Sequence, residues 1–133
     1  MKVFLDTNVL ASTLTTRGLC AEVFEVVLQS HELLTSDSVL RELERTLPGK
    51  LGQSKEVTKG FIDLLHLHAL PAIAEHPFPT LPDPDDEPIV AAALAGNANV
   101  FVTGDKVLLQ LQSVEHLRIA SPRNFWEMLA GRQ

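Results

Sequence analysis

The chain has 133 residues, 45% of them hydrophobic and 21% charged, which suits a single domain over residues 1–133 with a real apolar core. Its formal net charge of −6, from 17 acidic against 11 basic residues, excludes the strongly basic make-up of a general nucleic-acid binder. The single cysteine, Cys20, cannot form an internal disulfide and sits in an apolar stretch as a core residue. No segment is long and apolar enough to span a membrane, and the apolar run after Lys2 breaks at Asp6 rather than extending into a signal peptide, so a cytoplasmic protein is expected.

Val3-Phe4-Leu5 predicts a short buried strand, closed by polar Asp6-Thr7-Asn8, with Asp6 able to cap a helix after residue 8. Ala21 to Gln29 has helical spacing, with Val23, Phe24, Val27 and Leu28 on one face. Leu33-Leu34-Thr35 predicts a second buried strand. Ser36, Asp37 or Ser38 can cap the helix that follows, whose stripe of Val39, Leu40, Leu43 and Leu47 ends near Pro48-Gly49. A further helix is predicted over Lys55 to His68, with Phe61, Ile62 and Leu65 inward.

Six of the eight prolines fall between Pro71 and Pro88, predicting a stiff, extended connection. Pro88 suits the first turn of a helix running to about Ala95. Asn99 to Thr103 predicts a third strand, and Gly104-Asp105 opens a short helix carrying Val107, Leu108 and Leu111. Leu117 to Ala120 predicts a fourth strand, and Ser121-Pro122 caps a last helix with Phe125, Trp126 and Leu129.

Short apolar strands alternating with helices predict an α/β fold with a parallel sheet covered on both faces. Right-handed crossovers place the strand C-termini along one edge, where ligands bind in such sheets. Acidic residues recur at those places: Asp6, Glu42 or Glu44, the group Asp83, Asp85 and Asp86, and Asp105. Each has a bland alternative as a helix cap or surface charge. Three acids before one helix exceed what its start requires, so at least one of them is expected to be functional. The helical wheel does not choose between Glu42 and Glu44, which both flank the apolar stripe. Carboxylates gathered on one edge repel one another unless a cation neutralises them, and hard oxygen ligands suit Mg²⁺ or Mn²⁺.

The remaining charge is uneven: Arg41, Arg45, Lys50, Lys55 and Lys59 lie in one stretch, while Glu75 to Glu87 holds five acids and no Lys or Arg. Such a site fits a metal-bridged polyanion as well as it fits a solvated helix face and a polar loop. His31, His66, His68, His76 and His116 form no ligand spacing and are taken as structural or surface residues. No Gly-rich phosphate loop and no Gly-x-Ser-x-Gly elbow occurs.

Four segments together resemble the motifs of PIN-domain nucleases, and of their VapC-like subgroup, the toxin components of toxin–antitoxin pairs. They are Val3 to Leu10, Ser36 to Leu47 with Glu42-Leu43, Asp83 to Ile89 followed by Ala91-Ala92-Ala93, and Val102 to Lys106 with Leu108-Leu109. They occur in family order and span nearly the whole chain. The resemblance implies a three-layer α/β/α fold around a central parallel sheet and RNA cleavage that depends on Mg²⁺ or Mn²⁺. It implies Asp6, Glu42, Asp86 and Asp105 as the acidic positions, with Asp85 as an accessory and Asn8 and Thr103 orienting the carboxylates. On this ground alone Glu42 is taken over Glu44, and Asp86 over Asp85.

The resemblance also implies an RNA substrate, a small antitoxin partner and a homodimer. One departure stands out: this subgroup often carries another acid two residues after the fourth-motif Asp, where this chain has Val107. Three rivals remain. An aspartate-based phosphatase or phosphotransferase also places Asp after strand one, but it wants a second acid where this chain has Asn8. A receiver-like phospho-acceptor domain needs an acceptor Asp and a Lys on separate strand ends, whereas Lys106 directly follows Asp105. A silent PIN scaffold would bind RNA or a protein without cutting.

Overall fold

Val3, Phe4 and Leu5 have no exposed surface, and their strand lies inside the sheet around which the chain folds. The computed structural model describes residues 1–16 and 18–131. In chain order the elements are β1 (Lys2–Leu5), α1 (Thr7–Thr15), α2 (Leu19–Ser30), β2 (Glu32–Thr35), α3 (Asp37–Thr46), α4 (Lys55–His68) and β3 (Leu70–Pro71). A 3-10 turn (Pro84–Asp86) then leads into α5 (Glu87–Ala95), β4 (Val100–Val102), α6 (Lys106–Leu111), β5 (Ser113–Val114), β6 (Leu117–Ala120) and α7 (Pro122–Leu129).

Among the described residues the sheet has six strands in the order β3-β2-β1-β4-β6-β5. Strands β3, β2, β1, β4 and β6 run parallel, and β5 pairs antiparallel with β6. Helices flank this mostly parallel sheet, giving the expected α/β architecture. From β1 the chain steps outward through β2 to β3, then returns to the other side of β1 for β4 and β6. The order therefore reverses between β1 and β4, whose register pairs Leu5 with Val102. In an open parallel sheet the crevice at the C-terminal ends of two such strands is the binding position.

Local chemistry explains the element ends. The hydroxyl of Ser36 caps α3 through the Val39 amide, Ser54 caps α4 through Val57, and Ser121 caps α7 through Asn124. The apolar stripes pack inward as their spacing requires: Val39, Leu40 and Leu43 from α3, and Phe61, Ile62 and Leu65 from α4. Helix α5 buries Ile89 through Ala93, and its small side chains let it lie close to the sheet. Just beyond it, a Cβ at Gly96 would come within 3.1 Å of the Ala72 Cβ and 3.2 Å of Leu34 Cδ1. Phe4 and Phe101 stack at 5.4 Å between ring centroids in the middle of the core.

The structure departs from the sequence reading in three places. Helix α1 begins at Thr7, directly after Asp6, not beyond Asn8. The two-residue strands β3 and β5 were not anticipated, because two residues are too few to carry a periodic pattern. The sheet is consequently not wholly parallel: β5 folds back on β6 between Gln112 and Glu115, both with positive φ. Cys20 is half-buried against the core, and burial pushes its thiol pKa up, as expected of a packing residue. No helix among the described residues is long and apolar enough to cross a membrane.

Candidate active site

Asp6 follows the last residue of β1 and caps α1, so its carboxylate stands at the crevice between β1 and β4. It is 7% exposed, and both oxygens are held. Oδ1 accepts from the Thr7 amide at 2.8 Å. Oδ2 accepts from the Thr103 hydroxyl at 2.8 Å and from Asn8 Nδ2 at 3.2 Å. Cap and buried carboxylate are thus one residue serving two purposes.

Thr103, just after β4, is 0% exposed and acts as a hub. Its single hydroxyl proton goes to Asp6, while its oxygen accepts from the Asp105 amide at 3.0 Å and from Asn8 Nδ2 at 3.4 Å. Asn8 closes the ring on the other side, where its Oδ1 accepts from the Gly104 amide at 3.0 Å. Asp105 caps α6, accepting from the Val107 amide at 2.8 Å through Oδ1.

Glu42 reaches the same crevice from α3, where its carboxylate accepts a hydrogen bond from the Thr7 hydroxyl. Glu44 is exposed and lines a separate groove with Lys55 and Lys59. Of the two acids that helical periodicity left open, Glu42 is thus the one beside Asp6, held there by Thr7, a residue given no role from the sequence. Its position between Asp6 and Asn8 was the available signal.

The acidic segment before α5 divides by function. Asp83 caps the 3-10 turn through the Asp85 amide at 3.0 Å, and Glu87 Oε2 accepts from the Leu81 amide at 3.0 Å to pin the incoming loop. Asp85 is exposed at the edge of a groove it shares with Arg41, Glu42 and Arg45. Asp86 is left over. Its Oδ2 is buried without a hydrogen-bond partner.

Electrostatics ties these groups together. Burial pushes the Asp86 pKa up from 3.8 to about 6, and the charges of Asp105, Asp6, Asp83 and Glu42 add to the shift. Asp6 is also raised, first by burial; its hydrogen bonds from Thr103 and Thr7 oppose this, and Glu42 and Asp105 reinforce it. The charges of Glu42 and Asp105 thus act on both Asp6 and Asp86 across the crevice. Even so, no three His, Cys, Asp or Glu side chains among the described residues stand together as a ready-made cation cage. The acids surround the crevice, with Asp6 and Glu42 engaged by protein donors. The histidines play no part in it: His66 and His68 are exposed on α4, and His31 contacts the N-terminal amine at 3.3 Å.

Residues 2–107 match the family model of the PIN domain. The match takes in every segment that contributes to the crevice, and the chain belongs to the PIN-domain family. The fold is similar to that of VapBC2 from Rickettsia felis, in a crystal structure with a DNA fragment from the promoter. The TM-score is 0.65 at 16% identity, covering 91% of this chain and 98% of that one. It is also similar to VapBC-1 from nontypeable Haemophilus influenzae, with a TM-score of 0.63 at 22% identity, covering 92% of this chain and 99% of that one. No curated protein sequence matches the chain.

Proposed function

We propose that this PIN domain is a metal-dependent endoribonuclease, acting as a single domain over residues 1–133 and serving as the toxin of a type II toxin–antitoxin pair. The observation that carries the reading is the unpartnered, buried Oδ2 of Asp86, set among carboxylates whose charges help to raise its pKa. An acid so placed is poorly satisfied by the protein alone and is well satisfied by a hard cation. The donor set is all oxygen, which fits Mg²⁺ or Mn²⁺.

Asp6 and Asp105 would hold the principal cation, with Glu42 and Asp86 completing its surroundings directly or through water. A divalent cation bound there supplies charge neutralisation for the phosphate oxygens and a lowered pKa for attacking water. Thr103 and Asn8 fix the Asp6 carboxylate so that it does not have to reorganise during the reaction. Thr7 does the same for Glu42. Arg41 and Arg45 line the groove, where they would contact flanking phosphates. The reaction is in-line hydrolysis: water forms a new bond to phosphorus, the bond to the leaving ribose oxygen breaks, and that oxygen takes up a proton.

The toxin assignment rests on the motif resemblance, and the fold shared with two VapBC structures supports it. A small antitoxin would then block the crevice, pairing an Arg side chain with its carboxylates. The exposed apolar residues Val57, Leu64 and Leu67 of α4 supply surface for a homodimer.

The test is a mixed pool of structured and single-stranded RNA, incubated with purified protein in Mg²⁺, in Mn²⁺ and in EDTA. Cleavage with either metal that stops in EDTA is expected. Folded protein that cleaves nothing in any condition would instead indicate a silent scaffold. Stable labelling by a phosphoryl analogue would indicate an aspartate-based phosphatase.

A further inference from the structure

A second concavity adjoins the acidic crevice and has no part in the chemistry described above. It lies at the C-terminal ends of β2 and β3, has a volume of about 460 Å³, and is walled by Leu40, Leu65 and Ala72, with His66 exposed at its rim. Ser38 and Pro88 line both this cavity and the groove of about 350 Å³ that holds Arg41, Glu42, Arg45 and Asp85. The two spaces are therefore neighbours on one face of the molecule.

One polar atom in the cavity wall is unexplained. Thr35 is 4% exposed, and its Oγ1 has no hydrogen-bond partner. Its backbone is already committed, since the carbonyl accepts from the Ala72 amide at 2.8 Å. Leaving a buried hydroxyl unpaired is costly, and such a group in a concavity signals a ligand that pairs with it. Mostly apolar walls with a few placed polar groups, at a volume within the range of about 300–1,000 Å³, describe a small-molecule or nucleobase site.

We propose that an unpaired base flanking the cleaved phosphodiester enters this cavity, hydrogen-bonds to Thr35 Oγ1 and stacks on His66, while adjacent phosphates cross Arg41 and Arg45. The inference rests on the ribonuclease reading and adds to it a determinant of base preference. Single-stranded RNA is read in this manner, by bases splayed out onto ring faces and paired along their edges. Arg41 and Arg45 favour a phosphate-bearing occupant over an apolar peptide, with Glu42 and Asp85 in the same groove and Asp37 lining the cavity. Neither Arg41 nor Arg45 forms an ion pair among the described residues, and an apolar peptide would leave both unmatched.

The test separates binding from cleavage. Labelled protein is titrated in EDTA with short unpaired oligoribonucleotides, one for each base, and amide shifts are followed by NMR. Shifts in residues 35–45 and 69–74 are expected, with an affinity that depends on the base. Thr35→Val removes the hydroxyl at constant shape, so thermal stability should hold or rise while binding weakens about tenfold. Ala74→Leu, which narrows the cavity, should also weaken binding.

Binding confined to the surroundings of Asp6 and Asp105, or undiminished binding by Thr35→Val, would overturn the base pocket and leave the nuclease reading intact. Base-dependent shifts in the cavity from a protein that cleaves no RNA with any metal would overturn the nuclease reading and, with it, the claim that the bound base flanks a cleaved bond.

Discussion

The hydroxyl of Thr103 donates to Oδ2 of Asp6 at 2.8 Å, across 97 positions of sequence. The bond exists because β1 and β4 are neighbours in register, Leu5 beside Val102, although five α-helices and two strands separate them along the chain. It joins the first and fourth acidic segments, since the same oxygen accepts from the Asp105 amide. Thr103→Val keeps the shape, removes the donor to a buried carboxylate and leaves the Asp105 amide without its acceptor. Stability should fall by about 1–3 kcal/mol in urea denaturation. Metal affinity or activity should fall about 10–100-fold. A variant as stable and as active as wild type would show that this hub does not support the site.

Asp86 predicts an unusual pH dependence. Its pKa is raised to about 6 in the folded protein, against about 3.9 in an unfolded chain. Between those values the folded state holds the proton that the unfolded state has lost. Its stabilising contribution is therefore complete below about pH 4 and is lost as pH rises through about 6. Asp6 is shifted in the same direction. In EDTA the thermal midpoint should decline as pH increases across this window, and Asp86→Asn should flatten the decline. Mg²⁺ or Mn²⁺, which binds the ionised acids, should raise the midpoint more at neutral than at acidic pH. A midpoint that climbs through the window in EDTA would contradict the electrostatic description of the crevice.

Much of this was legible in the sequence because buried parallel strands are uninterrupted apolar runs and their ends are polar. Lys55–His68 and Leu117–Ala120 have the predicted bounds. That acids from the four segments would gather followed from placing strand C-termini on one edge, while Glu42 and Asp86 were singled out only by the motif resemblance; the charges of Asp6, Glu42 and Asp105 do reach Asp86. What stayed hidden depended on contacts between distant segments. The hydroxyl of Thr7 holds Glu42, not Glu44, beside Asp6, and no helical wheel contains Thr7. Which acid before α5 is merely structural depended on the partners of Asp83 and Glu87, both of which hold backbone amides. The cavity at Thr35 was equally invisible, because its walls come from five elements and a loop.

Val107 offers a gain-of-function test. It is 45% exposed in the first turn of α6, two residues beyond Asp105, where the subgroup often carries an acid. Val107→Asp adds a carboxylate near the crevice and places negative charge at a helix N-terminus, which the helix tolerates well. Calorimetric titration with Mn²⁺ should show tighter binding than wild type, and cleavage at limiting metal should rise. Unchanged affinity would mean that position 107 does not face the cation.

The most direct measurement is metal-dependent RNA cleavage by wild type and Asp6→Asn in parallel, with thermal unfolding of each recorded at the same pH. The substitution keeps the size of the side chain and an oxygen that can cap α1, while removing the charge that would hold the cation. The account predicts a folded variant whose cleavage is abolished in both Mg²⁺ and Mn²⁺. Undiminished metal-dependent cleavage by Asp6→Asn would contradict the claim that this carboxylate anchors the reaction.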